Sequence, residues 1–207
     1  MNLGRDGTRA LIRSCGPADA IAVSAVLASA FPEKFAAIFG RHLDGGMRFL
    51  AAEYARRPDA ASVLVAEECS EVVGALEVSW ADGKRGRGMR FFGAMRKEMG
   101  LRAATHAAFA FRLLTARALE DGCAYINFLG VLPAHRGRGV GRRLLEQGAH
   151  RARLAGKRRL VLEVAANNRQ AIRLYRKSGF RRVRSYRSRL TLRMFGCGAW
   201  EVWELAL

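Results

Sequence analysis

The residues best placed to do chemistry stand in one short run, Arg136-Gly137-Arg138-Gly139-Val140-Gly141. Glycines let the backbone turn sharply and let amide N–H groups approach an anion with no side chain in the way. The nearly unbroken apolar run Ala124–Leu132 before this segment reads as a strand, and the spacing of Val140, Leu144, Leu145, Ala149 and Ala152 after it reads as a helix. A strand-to-helix junction puts the positive end of the helix dipole and several unpaired N–H groups at one place. Arg136 and Arg138 add charge suited to phosphate oxygens. Arg142 and Arg143 fall in the first helical turn, where cations oppose the dipole, a conflict that a bound polyanion would offset. A diphosphate suits these features; an ordinary turn carrying solvated arginines is the alternative that glycines and charges alone leave open. The glycine spacing departs from G-x-G-x-x-G and no Gly-Lys-Ser/Thr follows, which disfavours a Rossmann turn and a Walker-type loop.

Other residues carry single signals. Glu163 is a lone acid inside Leu160-Val161-Leu162-Glu163-Val164, either a proton acceptor or the partner of an arginine on a neighbouring strand. Asn168 is placed to cap the helix that follows it. Tyr175 shares a helix face with Ala171, Leu174 and Ser178, as an amphipathic core tyrosine would. His135 lies by the glycine loop and reads as structural, while His106 and His150 fall in helices with no evident partner. Glu67, Glu68, Glu71 and Glu77 gather on an expected hairpin and read as solvated acids, able at most to reverse a positive field locally. The four cysteines are far apart and form no C-x-x-C pair, so they read as buried reduced thiols rather than metal ligands.

The elements that must position these residues follow from pattern and punctuation. Arg9–Arg13 reads as a strand, Gly16–Asp19 opens a helix, and Phe31–Leu50 is helical up to a turn at Arg56–Asp59. Ser62–Glu67 and Val72–Val78 form a hairpin across Cys69-Ser70-Glu71. A basic glycine-rich loop, Ala81–Gly88, precedes a helical stretch from Met89 to Glu120 that Gly100 is placed to divide. Ala124–Leu132 is expected as a central strand buried on both faces. A helix Val140–Ala155, a strand Leu160–Val164 and a helix Arg169–Ser178 stopped by Gly179 come next. Phe180–Leu192 and Ala199–Leu207 read as the last two strands. The order gives one mixed α/β domain over residues 1–207, with β-α-β units late in the chain.

Two of these segments together resemble a known family. Arg136-Gly137-Arg138-Gly139-Val140-Gly141 is similar to the Gln/Arg-x-x-Gly-x-Gly/Ala signature of GCN5-related N-acetyltransferases, after a strand and a Val-x-Pro approach. About 30 residues on, Asn168 to Phe180 resembles the second signature, N-x-x-A-x-x-x-Y-x-x-x-G-F. The resemblance implies a mixed, mostly antiparallel central sheet flanked by helices, with strands splayed where acetyl-CoA binds as cosubstrate, and no metal. It implies that the amides of Arg136, Gly137, Arg138, Gly139, Val140 and Gly141 hold the coenzyme A diphosphate. It further implies that backbone groups of Leu129 and Val131 meet the pantetheine arm and acyl carbonyl, that Asn168 contacts that arm, and that Tyr175 protonates the departing thiolate. The strand Tyr125-Ile126-Asn127-Phe128-Leu129-Gly130 is similar to the Tyr-Ile-x-x-Leu-Gly pattern of protein N-terminal acetyltransferases. In some of those enzymes a tyrosine at the Tyr125 position and a histidine at the Glu163 position handle the proton, so here Glu163 takes the second place. The acceptor implied is a primary amine, with a peptide α-amine preferred and an aminoglycoside-like or other small amine as the alternative.

Composition limits the remaining classes. Half of the 207 residues are hydrophobic, an ordinary globular balance. No apolar run reaches the ~18 residues needed to cross a bilayer, and the start lacks a secretory layout, so no membrane partner and a cytoplasmic location are expected. The net charge of +18 attracts polyanions. The basic residues are spread along the chain without a helix-turn-helix, zinc-finger or RNA-binding signature, which disfavours a nucleic-acid-binding module. A coenzyme-binding protein that has lost turnover is the other rival. A monomer or homodimer is expected.

Overall fold

A computed structural model of the chain describes residues 10–56, 63–80, 87–115 and 120–207. Seven strands form one sheet: β1 (Leu11–Ser14), β2 (Val63–Glu68), β3 (Glu71–Trp80), β4 (Cys123–Val131), β5 (Arg159–Ala165), β6 (Arg181–Arg187) and β7 (Ala199–Ala206). Their spatial order is β1-β2-β3-β4-β5-β7-β6, and every neighbouring pair is antiparallel except β4–β5. The expected mixed, mostly antiparallel sheet flanked by helices is therefore present. The β2–β3 hairpin closes through two residues in left-handed backbone, Cys69 (φ 49°) and Ser70 (φ 65°), as the twist of paired strands favours.

Helices cover both faces. On one face lie α1 (Ala20–Ala30), α2 (Pro32–Phe39), α3 (Leu43–Ala55) and α4 (Arg87–Thr115), packing Val23, Val26, Phe39, Phe49 and Met95 against Val63, Val65 and Ala75 of the sheet. Gly100 does interrupt α4, with φ 79° and ψ 169°. On the other face lie α5 (Val140–Leu154) and α6 (Arg169–Lys177), whose Leu144, Leu145 and Tyr175 meet Leu76, Val78, Ile126 and Leu162. Alternating side chains of β3, β4 and β5 feed the two cores separately. Helix α5 lies very close to the sheet: a Cβ on Gly148 would stand 2.5 Å from Leu76 Cδ2. Beside β1, Arg13 bridges Asp19 and Glu67, both at 2.6 Å, and hydrogen bonding to the Arg13 guanidinium holds the Asp19 carboxyl below its usual range.

Several expectations need correction. Residues 180–192 are not one strand: β6 ends at Arg187, and α7 (Arg189–Phe195) follows. The Ser188 hydroxyl caps α7 by accepting from the Thr191 amide at 3.2 Å, and Gly196 (φ 68°) stops it. Strand β4 is buried on both faces only over residues 123–126; Asn127 is exposed, and Phe128 and Leu129 are half-buried. Of the cysteines, Cys15 and Cys123 are buried as expected, but Cys69 is exposed on the hairpin turn. Arg9, the turn at 57–59 and the glycine-rich loop through residue 86 lie outside the described residues.

Candidate active site

The break between β4 and β5 organises the site. Their parallel pairing runs from Cys123↔Arg159 to Ile126↔Leu162 and stops there, although β4 continues to Val131 and β5 to Ala165. At the same point β4 carries a bulge against β3: Glu77 pairs with Phe128 and Val78 with Ile126, so Asn127 is the extra residue. A bulge bends and twists its strand, which turns the second half of β4 away from β5. The Leu132 amide donates to the Val73 carbonyl at 2.9 Å. By the alternation of an antiparallel ladder, the peptide groups of Leu129 and Val131 then face the opposite edge, into the gap. The Val131 carbonyl accepts from Arg136 Nε at 3.0 Å, which leaves the Leu129 peptide and the Val131 N–H for another partner.

The glycine loop closes one end of this gap. Gly137 (φ 76°) and Gly139 (φ 84°) both take left-handed backbone, and a Cβ on either would meet nothing within 4 Å. Arg136, Gly137, Arg138 and Gly139 are exposed. Gly139 is the N-cap of α5 and offers no side chain to the first helical amides, so those of Val140, Gly141 and Arg142 keep free donors at the positive end of the dipole. The first intrahelical bond runs from the Arg143 amide to the Gly139 carbonyl at 3.1 Å. Arg142 pairs with Glu146 at 2.8 Å, easing its conflict with the dipole. A glycine cradle with open space above it and unpaired amides beneath fits a diphosphate. His135 does read as structural: its Nδ1 lies 2.8 Å from Glu68 Oε2, tying the loop to the β2–β3 hairpin.

Helix α6 packs against the same junction. A Cβ on Gly141 would stand 3.1 Å from Leu174 Cδ2, 3.8 Å from Val131 Cγ2 and 4.0 Å from Leu129 Cδ2. The loop, the end of β4 and α6 thus meet around one point. Asn168 caps α6, its Oδ1 accepting from the Ala171 amide at 3.1 Å; this realises the capping role and leaves its Nδ2 to point elsewhere. Tyr175 is 8 % exposed and its ring stands 5.8 Å from that of Phe180. Burial pushes its phenol up to about 12, and its hydroxyl has no protein hydrogen-bond partner among the described residues.

The remaining candidates lie on the sheet face covered by α1–α4. Leu162 and Val164 point to the α5 side, so Glu163 points to the other, where its Oε2 accepts from the Tyr186 hydroxyl of β6 at 3.1 Å. Tyr125 is on that face too, packed with Cys123, Val161 and Val202. Its hydroxyl accepts from the Glu120 amide at 3.2 Å, at the start of β4 and away from the gap. Desolvation raises its pKa. Sequence reasoning missed Glu77, Asn127, Tyr54 and Tyr186. Glu77 is not a solvated acid: it is 6 % exposed, Tyr54 donates to its Oε2 at 3.3 Å, and Asn127 Nδ2 donates to its Oε1 at 3.1 Å. Its signal was the one that singled out Glu163, a lone acid in an apolar strand, here Gly74-Ala75-Leu76-Glu77-Val78. Among the described residues no group of three or more His, Cys, Asp or Glu side chains is placed to hold a metal, and no single helix is long and apolar enough to cross a membrane.

A sheet parted at a bulge, with a glycine cradle at one end of the opening, defines an acyl-transfer fold that lays an extended thioester along an unpaired strand edge. Residues 27–180 match the family model described as the acetyltransferase (GNAT) family, and the chain belongs to that family. It is an acyltransferase. A crystal structure described as an acetyltransferase superposes with a TM-score of 0.66 at 21 % identity, covering 95 % of this chain and 98 % of the other. The structure of yncA, described as an acetyltransferase from Salmonella typhimurium with its cofactor acetyl-CoA, gives 0.58 at 19 % identity, covering 96 % and 94 %. An uncharacterised protein of Mycobacterium leprae is 47 % identical over 58 residues, a stretch covering 28 % of this chain and 15 % of that relative's length.

Proposed function

We propose that this chain, over its whole length, is one N-acetyltransferase domain that moves an acetyl group from acetyl-CoA to a primary amine. The observation that carries the reading is the gap between β4 and β5, bordered by the Leu129 and Val131 peptide groups and closed by the glycine cradle. The amides of Arg136 to Gly141 receive the diphosphate, and Asn168 Nδ2 the pantetheine arm. The thioester supplies an activated acetyl carbonyl at the end of that arm. The acceptor nitrogen forms a bond to the carbonyl carbon, and the carbon–sulfur bond breaks with its electron pair on sulfur. The proton shed by nitrogen passes to Glu163, which Tyr186 holds in place, and the sulfur ends protonated. Tyr175 serves that last step as a hydrogen-bond donor. With its phenol at about 12 it stabilises the thiolate without surrendering its own proton, since full transfer to a thiolate of pKa ~8.5 runs uphill. Tyr125 is assigned a supporting place at the base of β4.

We read the acceptor as a peptide α-amine, from the Tyr-Ile-x-x-Leu-Gly strand and because an amine of pKa ~8 gives up its proton more readily than a lysine. The test is a panel of free α-amine peptides, diamines, aminoglycosides and simple primary amines, followed by coenzyme A release, beside calorimetry of acetyl-CoA binding. The expected result is micromolar acetyl-CoA affinity, about −8 kcal/mol, with turnover on the peptides. No binding at millimolar acetyl-CoA overturns the transferase reading, whereas turnover confined to small amines overturns only the peptide preference.

A further inference from the structure

Ile126↔Leu162 is the last pair joining β4 to β5, so the next residue on each strand, Asn127 and Glu163, forms the two lips of the gap. Both side chains lie on the α1–α4 face, opposite the helix that carries the glycine cradle. Asn127 is exposed although it sits in the middle of the sheet, because the bulge pushes it out of the ladder. Its amide is oriented by two partners of opposite kind. The Glu77 carboxylate can only accept, so it takes Nδ2; Ser79 Oγ donates to Oδ1 at 3.1 Å. Glu77 is itself held by Tyr54 at 3.3 Å, and Glu77, Ser79 and Tyr54 are all buried. A buried polar network of this kind fixes the one member that reaches solvent.

We propose that Asn127 Oδ1 and the Glu163 carboxylate together form the acceptor subsite, one hydrogen-bond acceptor on each lip, and that Glu77 is the positioning residue that keeps Oδ1 turned outward. A neutral primary amine has two N–H donors and one lone pair. Two acceptors on opposite lips take the two N–H groups and aim the lone pair into the gap, at the carbonyl of the thioester. A secondary amine lacks one of the donors, and a hydroxyl lacks it too, so the subsite selects primary amines. Glu163 then accepts the proton that nitrogen sheds when the new carbon–nitrogen bond forms. This rests on the acetyl-transfer reading above.

The experiment uses the full chain, acetyl-CoA and a matched pair of acceptors, a primary amine and its N-methyl derivative. In Asn127→Ala the KM for the primary amine should rise on the order of tenfold, and its advantage over the N-methyl compound should shrink, while the calorimetric Kd for acetyl-CoA stays at the wild-type value. Glu77→Gln, which can donate to Oδ1 and so permit the Asn127 amide to turn over, should shift KM and selectivity in the same direction by less. Unchanged acceptor KM and unchanged selectivity in folded Asn127→Ala, with acetyl-CoA affinity intact, overturn the subsite alone. Wild-type protein that binds no acetyl-CoA overturns the transferase reading and the subsite with it. Because Asn127 is exposed, its substitution decides the matter even where Glu77→Gln fails to fold.

Discussion

At the scale of single residues, burial decides what each group can do. Tyr175 keeps its proton across the working range because desolvation raises its phenol from 10.0 to about 12. Tyr175→Phe should therefore lower kcat on the order of 10²-fold with little change in acetyl-CoA affinity, and by the same factor at pH 7 and pH 9. The same shift affects stability. The unfolded tyrosine releases its proton first, so the contribution is complete below pH ~10 and is lost as pH rises from about 10 to about 12. Alkaline unfolding followed by circular dichroism should be less steep over that window in Tyr175→Phe; an identical alkaline profile argues against the buried phenol. Glu77 and Glu163 show where the sequence stopped being legible. Both are lone acids in apolar strands, but Glu77 was grouped with Glu67, Glu68 and Glu71 by nearness in sequence. Those neighbours do hold surface roles, Glu67 with Arg13 and Glu68 with His135. Only the alternation along β3 and the bulge opposite it separate Glu77 from them, and a bulge leaves no mark that one sequence discloses.

At the scale of elements, the segment from β4 through α6 was the most legible, since a strand, a glycine-rich junction and a capped helix each carry their own local signal. The end of the chain misled for an equally local reason. Arg189, Leu190, Thr191, Leu192 and Arg193 alternate polar and apolar as a strand does, but Ser188 caps them into α7, and Trp200 Nε1 donates to Thr191 Oγ1 at 2.9 Å. Cap chemistry overrode period. The pairing of β6 with β7 rather than β5, which brings Tyr186 to Glu163, is a long-range choice with no local trace. The junction before α5 carries the prediction at this scale. Gly139→Val places a β-branched side chain at φ 84°, a strain of roughly 1–2 kcal/mol, and fills the open space over the cradle. A folded protein with a modestly lowered Tm and no measurable acetyl-CoA binding by calorimetry is expected. Wild-type affinity in that variant would remove the loop from the cofactor site.

For the molecule as a whole, 36 lysines and arginines against 18 acids leave a field that a small polyphosphate donor meets before it meets the loop. Encounter should therefore be steered. The association rate of acetyl-CoA, measured by stopped flow, should fall several-fold, up to roughly tenfold, as sodium chloride rises from about 0.05 M to 0.5 M. An association rate indifferent to salt would leave the charge without a part in capture. The field also falls on the acceptor, so a cationic amine must be drawn in by nearby carboxylates, and Glu163 and Glu77 are the ones the fold places on the acceptor face beside the gap.

The parted strands have one more consequence. Where β4 leaves β5, the sheet gives up ladder bonds that would otherwise run from 127 to 131, and the Leu129 peptide and Val131 N–H face water instead of a neighbouring strand. The fold is thus a sheet with one rung-set missing. The pantetheine arm, itself a chain of amides, completes it as a strand would. Loading the donor is then the last step of folding, and the empty protein is held short of its full stability by the very feature that lets it work.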